Sequence, residues 1–134
     1  MNTDGHEIKH KELTGKIIGV FYEVHRELEN GFLESVYQRC LSIALTSAGL
    51  EVGCRLKIPV WFRGHQVGQF EGDMLVERTV LLELKAVRAL DGSHQAQLLN
   101  YLRATDIEVG LLLNFGVKPE FRRLLFDNPR KVAR

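Results

Sequence analysis

The sequence is short of three features that mark special classes of protein. It contains only two cysteines, Cys40 and Cys54, which lack the CxxC spacing of a zinc site and are too few for a disulfide framework. Their scarcity favours a reducing compartment, so we expect a cytoplasmic protein. Net charge is scarce as well, because 18 basic and 17 acidic side chains leave a formal net charge of +1. This balance argues against tight binding of nucleic acid by an isolated monomer.

Long apolar segments are the third absence. No run approaches the ~18 apolar residues of a membrane-spanning helix, and residues 1–11 are too polar to contain the hydrophobic region of a signal peptide. We therefore expect no membrane contact. Internal repeats and linker-like tracts are also missing, and a chain of 134 residues fits one domain, 1–134, with a modest core.

Hydrophobic periodicity predicts an α/β order. Apolar residues recur every three or four positions in two N-terminal segments, which end at Asn30-Gly31 and at Gly49. We predict helices over about 7–29, 33–48 and 94–104, the last capped by Ser93, and strands over about 51–62, 66–76, 80–87 and 109–115. Pro59 marks the first strand as an edge or bulged strand. Segment 120–126 fits a short helix or a strand, and we expect residues 1–6 and 127–134 to be frayed ends. This order predicts one α/β sandwich in which helices flank a mixed sheet.

Charged residues interrupt the apolar hairpin formed by the second and third strands. Carboxylates and an ammonium group are costly to bury there unless they are paired or bound to a metal. With a three-residue loop, Glu77–Thr79, alternation of side chains places Asp73 opposite Glu83 and Glu71 opposite Lys85, all on one face. A two-residue loop would put Asp73 and Glu83 on opposite faces. We prefer the three-residue loop because it keeps each face chemically consistent.

Two opposed carboxylates should repel each other across the hairpin. A divalent cation between Asp73 and Glu83 would remove that repulsion, with oxygen ligands and retained waters as Mg²⁺ prefers. The alternative is a structural ion cluster in which the two carboxylates pair with Lys85 and with arginines. From these residues alone, both interpretations stay open.

Three motifs occur along the chain in an order that resembles the PD-(D/E)XK nuclease superfamily. Gly31–Tyr37 matches the GxxExxY motif after which one small family is named. Asp73 followed by Glu83-Leu84-Lys85 looks like the D…(E)XK signature, although Gly72 stands where the superfamily name has proline. Gln97–Tyr101 looks like the QxxxY element of the exonuclease-like branch. The resemblance covers about residues 10–126, and it implies a restriction-endonuclease-like core.

The resemblance also implies roles for individual residues. Asp73 and Glu83 would bind Mg²⁺ or Mn²⁺, with the carbonyl of Leu84 as a backbone ligand and Glu34 as the helix acid that completes the metal site. Lys85 would orient or activate the attacking water, and Gln97 and Tyr101 would brace the site near the substrate. Taken alone, a residue such as Glu34 is more often a carboxylate that satisfies the N-terminus of a helix, and we interpret Tyr37 as a core aromatic.

The expected function is therefore that of a metal-dependent nuclease that hydrolyses phosphodiester bonds, in DNA in preference to RNA. The alternative is a non-catalytic nucleic-acid-binding or accessory module that keeps the nuclease fold. A small, nearly neutral domain has few surfaces with which to grip a duplex, so a homodimer is the oligomeric state expected to supply the second half.

Overall fold

The computed structural model describes residues 3–127, with side chains from His10 onwards. The elements in chain order are α1 (Thr3–Leu28), α2 (Glu34–Ser47), β1 (Val52–Phe62), β2 (His65–Val76), β3 (Val80–Lys85), α3 (Gly92–Arg103), β4 (Val109–Phe115) and β5 (Pro119–Leu125). The predicted order is confirmed, and the open segment near residue 120 is a strand. The frayed segment predicted before residue 7 is wrong from Thr3 on, because α1 begins there; residues 1–2 and 128–134 lie outside the described part.

One five-stranded sheet contains all the strands, in the spatial order β1-β2-β3-β4-β5. Only β3 and β4 run parallel, and the crossover between them contains α3, so the predicted mixed sheet flanked by helices is confirmed. β1 is an edge strand with a register shift between Val60 and Trp61, directly after Pro59. The prediction made from this proline is therefore confirmed.

The two faces of the sheet have separate hydrophobic clusters. Helices α1 and α2 cover one face, where Phe21, Tyr37 and Leu41 pack with Met74 and Leu82. Helix α3 covers the other face, in a cluster of Ile58, Leu81, Leu98, Tyr101, Leu102, Leu112 and Phe126. Because residues two apart on a strand share a face, Glu83 and Lys85 follow Leu81 onto the α3 side. β4 lies between both layers, and all seven of its residues are buried.

The pairing of β1 with β2 is interrupted at Arg55, and the side chains of β2 change faces of the sheet there. Arg55 has a φ of +55°, and the ladder between β1 and β2 omits the pair that its register would form between Arg55 and Asp73. Met74 packs in the α1/α2 cluster, yet the Phe70 ring lies 4.9 Å from the Tyr101 ring of α3. Strict alternation would put Phe70 and Met74 on one face. The side chains of β2 therefore change faces next to Asp73.

A side chain caps the N-terminus of α3, the helix that contains Gln97 and Tyr101. Asp91, not the predicted Ser93, is the N-cap residue: its carboxylate accepts from the Ser93 N–H at 2.8 Å, while His94 Nδ1 accepts from the Asp91 N–H at 3.0 Å. The Ser93 hydroxyl donates to the same carboxylate, and these hydrogen bonds lower the pKa of Asp91. In the described part of the chain, no helix is both long and apolar enough to cross a membrane.

Candidate active site

The hairpin of β2 and β3 has the predicted register. Its ladder pairs Val76 with Val80, Leu75 with Leu81 and Met74 with Leu82, which leaves the three-residue loop Glu77–Thr79. Glu77 and Arg78 have positive φ angles of 52° and 54°, and the Thr79 N–H closes the turn on the Val76 carbonyl at 2.9 Å. The odd loop length that underlies the whole site prediction is confirmed.

Beyond Leu82 the ladder stops, and two carboxyl groups replace the backbone acceptors. The Asp73 N–H donates to Glu83 Oε1 at 3.1 Å, and the Leu84 N–H donates to Asp73 Oδ2 at 2.7 Å. Each carboxyl group is thus fixed to the other strand, which holds Asp73 and Glu83 across from each other. The predicted continuation to a Glu71–Lys85 pair is wrong, because the strands have separated there and exposed Glu71 pairs with Lys57 of β1.

Burial and mutual repulsion oppose ionisation of this carboxyl pair. Glu83 is only 4% exposed, and its burial, followed by the charge of Asp73, raises its pKa to about 8. Burial also raises the pKa of Asp73, against the Leu84 N–H and the Lys85 charge, which lower it. Ionisation of both carboxyl groups is unfavourable while they face each other without a cation. A divalent cation, which prefers such oxygen ligands, would stabilise the ionised pair.

Lys85 begins a chain of hydrogen bonds that reaches helix α3. Its Nζ donates to Gln97 Oε1 at 3.1 Å, and Gln97 Nε2 donates to the Tyr101 hydroxyl at 3.1 Å. Gln97 and Tyr101 share a face of the helix because they are four residues apart. Burial, then the nearby charge of Glu83, raises the pKa of Tyr101, so its hydroxyl keeps its proton and can donate it. The structure thereby brings five of the predicted residues into one group.

Glu34 does not belong to the group formed by Asp73, Glu83, Lys85, Gln97 and Tyr101. It is the first residue of α2, it is exposed, and among the described residues no three His, Cys, Asp or Glu side chains lie close enough together to hold a metal ion. The same helix nevertheless borders the site, because Gln38 Nε2 donates to the Asp73 carbonyl at 3.1 Å. The role of Glu34 as a ligand stays a prediction.

The remaining residues of the GxxExxY motif shape the connection that leads to Glu34. Gly31 has a φ of +117°, which other residues rarely adopt. The Tyr37 hydroxyl donates to the Glu29 carbonyl and accepts from the Phe32 N–H, and its ring stacks on Phe115 with centroids 4.4 Å apart. Gly31 and Tyr37 therefore fold the loop before α2, and neither touches the carboxyl pair.

Two polar side chains that hold the site in place were missed by the sequence analysis. One is Gln38, whose position inside a helix carries no distinguishing signal. The other is Asn114, which is fully buried and bonds both the N–H and the carbonyl of Val87 at 2.9 Å, and Glu120 at 3.2 Å. Asn114 thereby fixes the chain that leaves β3 after Lys85. A polar residue in the otherwise apolar strand β4 was the available signal.

Gly72 has a steric reason for its departure from the proline in the superfamily name. A Cβ atom on Gly72 would lie 2.9 Å from Leu81 Cδ1 and 3.3 Å from Ile58 Cδ1, and 3.5 Å from Glu83 Oε1. The absence of a side chain lets β2 approach β3 where the two carboxyl groups meet. A larger residue would displace apolar side chains that support Glu83.

Comparisons with known proteins agree with this fold. A family model described as the PD-(D/E)XK nuclease superfamily matches residues 11–124, which is most of the chain. The crystal structure of SSO0001 is similar in fold, with a TM-score of 0.57 and 16% identity over 69% of this chain and 50% of that one. This chain thus spans about half the length of SSO0001. No curated protein matches the sequence significantly. The match over residues 11–124 shows that the chain belongs to the PD-(D/E)XK nuclease superfamily.

Proposed function

We propose that the protein is a divalent-metal-dependent nuclease that hydrolyses phosphodiester bonds in DNA in preference to RNA, and that it belongs to the GxxExxY family. One observation carries the proposal: the two carboxyl groups fixed across the end of a ladder, beside the Lys85–Gln97–Tyr101 chain. A purely structural ion cluster would pair Lys85 with a carboxylate. Here Lys85 donates to the neutral amide of Gln97 instead, and no cationic side chain among the described residues forms an ion pair with the two carboxyl groups.

The residues that would hold the metal are Asp73 and Glu83, with the Leu84 carbonyl and Glu34 as further ligands. All four supply oxygen, which suits Mg²⁺ or Mn²⁺. When bound, such an ion would lower the pKa of a water and neutralise charge on a phosphate. Ionisation of the buried pair, which burial opposes without the metal, becomes favourable when a dication shares the site.

The chain's own residues supply positioning and a fixed positive charge. Lys85 lies beside both carboxyl groups, and Gln97 Oε1 accepts a hydrogen bond from its Nζ at 3.1 Å. A fixed ammonium stabilises negative charge as it develops on a phosphate and orients an attacking water. Tyr101, whose hydroxyl accepts from Gln97, directs its own proton away from that amide and can donate to a phosphate oxygen.

Further features of the proposal rest on the sequence. DNA is preferred over RNA because the motif set resembles a restriction-endonuclease-like core. A homodimer would enlarge the surface that a small domain offers to a duplex. Cys40 and Cys54 are free thiols, which agrees with a reducing, cytoplasmic location.

A cleavage assay tests the proposal. Purified protein is incubated with single- and double-stranded DNA and RNA in Mg²⁺, in Mn²⁺ and in EDTA, together with the Asp73→Asn and Lys85→Ala variants. We expect cleavage only with metal and a loss of at least about 100-fold in each variant, since Asp73→Asn removes a metal ligand and Lys85→Ala removes a positive charge beside the reacting phosphate. Lys16→Ala, which changes an exposed lysine of α1, is the matched control and should cleave like wild type.

The alternative, a non-catalytic accessory module, gives a different result in the same experiment. It predicts that nucleic acid binds without being cut under any metal condition, and the separation between Glu34 and the carboxyl pair is the observation that favours it. Cleavage that persists unchanged in Asp73→Asn would contradict both the proposed activity at this site and the ligand assignment. Sedimentation of the same samples tests the homodimer.

A further inference from the structure

A groove with a volume of 330 Å³ lies on the α2 side of the sheet, between α2 and β1. Its charged lining residues are Arg39 of α2 and Arg55 of β1, both exposed, and among the described residues that line it none is acidic. The hydroxyl groups of Ser35 and Ser42 also line it. In the part of the chain with described side chains, neither guanidinium group takes part in an ion pair.

The groove is joined to the strand that carries Asp73. Gln38 lines the groove, and its Nε2 donates to the Asp73 carbonyl at 3.1 Å. On the other wall, Arg55 is the residue that the β1–β2 register places opposite Asp73. Both walls of the groove thus meet the backbone segment that positions a proposed metal ligand.

The conformation of Arg55 is an independent sign that this wall has a function. Its φ of +55° lies in the left-handed region, inside a strand, and the ladder loses a pair there. Glycine would adopt this conformation without strain, yet the chain has a long cationic side chain at this position. No partner for that side chain among the described residues compensates for the strain. Strain of this kind is characteristic of binding sites.

We infer that this groove binds the phosphodiester backbone of the substrate strand where that strand extends past Asp73 onto the α2 side of the sheet. The inference rests on the proposed function and deepens it. An arginine guanidinium group can donate two parallel hydrogen bonds to phosphate oxygens, and serine hydroxyl groups commonly donate hydrogen bonds to phosphates. Two arginines that pair with no described acidic side chain, in a groove whose lining has no acidic residue, form a local basic surface, so a chain with a net charge of only +1 can hold a polyanion.

The test measures binding and cleavage separately. A fluorescently labelled oligonucleotide is titrated in EDTA at several salt concentrations with wild type, Arg39→Gln and Arg55→Asn; asparagine is chosen because it tolerates a positive φ. Each variant should reduce the slope of log affinity against log salt by about 1. Over a fourfold rise in salt concentration, the affinity of each variant should therefore fall about 3.5-fold less than that of wild type. In Mg²⁺ or Mn²⁺ the variants should raise KM with little change in kcat, because they remove an interaction that the bound substrate and the transition state share equally.

Two controls separate charge from fold. Arg39→Lys keeps the charge and should keep the salt slope, whereas Arg26→Gln changes an exposed arginine of α1 that does not line the groove and should resemble wild type. If wild type cleaves but Arg39→Gln and Arg55→Asn keep its slope and its KM, the groove does not bind the backbone and the proposed function stands. If wild type neither binds nor cleaves nucleic acid, both proposals are overturned.

Discussion

Replacing Glu83 by glutamine should make the metal-free protein more stable at neutral and alkaline pH. Glutamine has nearly the same shape, its amide oxygen can accept from the Asp73 N–H as Glu83 Oε1 does, and it carries no charge. What the substitution removes is a carboxyl group whose pKa is raised from 4.5 to about 8, first by burial and then by the charge of Asp73.

The sign and size of the effect follow from proton linkage. Between pH 4.5 and pH 8 the folded protein holds a proton on Glu83 that the unfolded chain releases, so the free energy of unfolding falls as pH rises. At about 1.36 kcal/mol per pH unit, the wild type should lose less than about 1 kcal/mol by pH 5, about 3 kcal/mol by pH 7 and almost 5 kcal/mol by pH 9. Those losses are the expected advantage of Glu83→Gln at each pH.

Urea unfolding in EDTA at pH 5, 7 and 9 measures this difference. Comparison of the variant with wild type at each pH cancels the titration of groups that do not interact with Glu83. Glu12→Gln, which replaces an exposed glutamate of α1, is the control and should stay within about 0.5 kcal/mol of wild type. A Glu83→Gln protein whose advantage does not grow between pH 5 and pH 9 would refute the claim that burial and Asp73 oppose ionisation of Glu83.

Three further predictions address the metal and the supports of the site. Saturating Mg²⁺, at about 100 times its Kd, should stabilise wild type by about 2.7 kcal/mol in thermal or urea unfolding but leave Asp73→Asn unchanged; equal stabilisation of both would place the ion elsewhere. Tyr37→Phe should lower the free energy of unfolding by about 1–2 kcal/mol, because the Glu29 carbonyl loses its donor, and an unchanged urea midpoint would contradict this. Asn114→Ala should cost about 2–4 kcal/mol, because the N–H and carbonyl of Val87 lose buried partners, and it should also slow cleavage, since the chain after β3 is no longer fixed.

Much of the fold could be predicted because local patterns and tertiary structure agree in this chain. The periodicity of the helices, the almost wholly apolar β4 and the odd length of the Glu77–Thr79 loop each have one physical outcome. The loop length decided the site, since it alone placed Asp73 across from Glu83. The predicted cap of α3, Ser93, was wrong because Asp91, two residues earlier, has a carboxylate that is the stronger acceptor.

The errors within the sheet have a common physical origin, which is departure from regular strand geometry. The Glu71–Lys85 pair was expected by extending a ladder that stops at Met74 and Leu82. The left-handed residue Arg55, which breaks the alternation of β2, carries no sequence signal such as glycine. Hydrophobic periodicity also does not predict contacts that depend on how the helices pack on the sheet. The hydrogen bond from Gln38 to the Asp73 carbonyl is such a contact.

The central claim is that Asp73 and Glu83 together bind a catalytic divalent cation. Anomalous diffraction from crystals soaked in Mn²⁺ tests it most directly, since it locates the ion without reference to activity. We predict one strong peak bound by both carboxylates and the Leu84 carbonyl, and its distance from Glu34 will decide whether that residue is a ligand. No peak between Asp73 and Glu83 at saturating Mn²⁺, in a protein that still cleaves nucleic acid, would contradict the account.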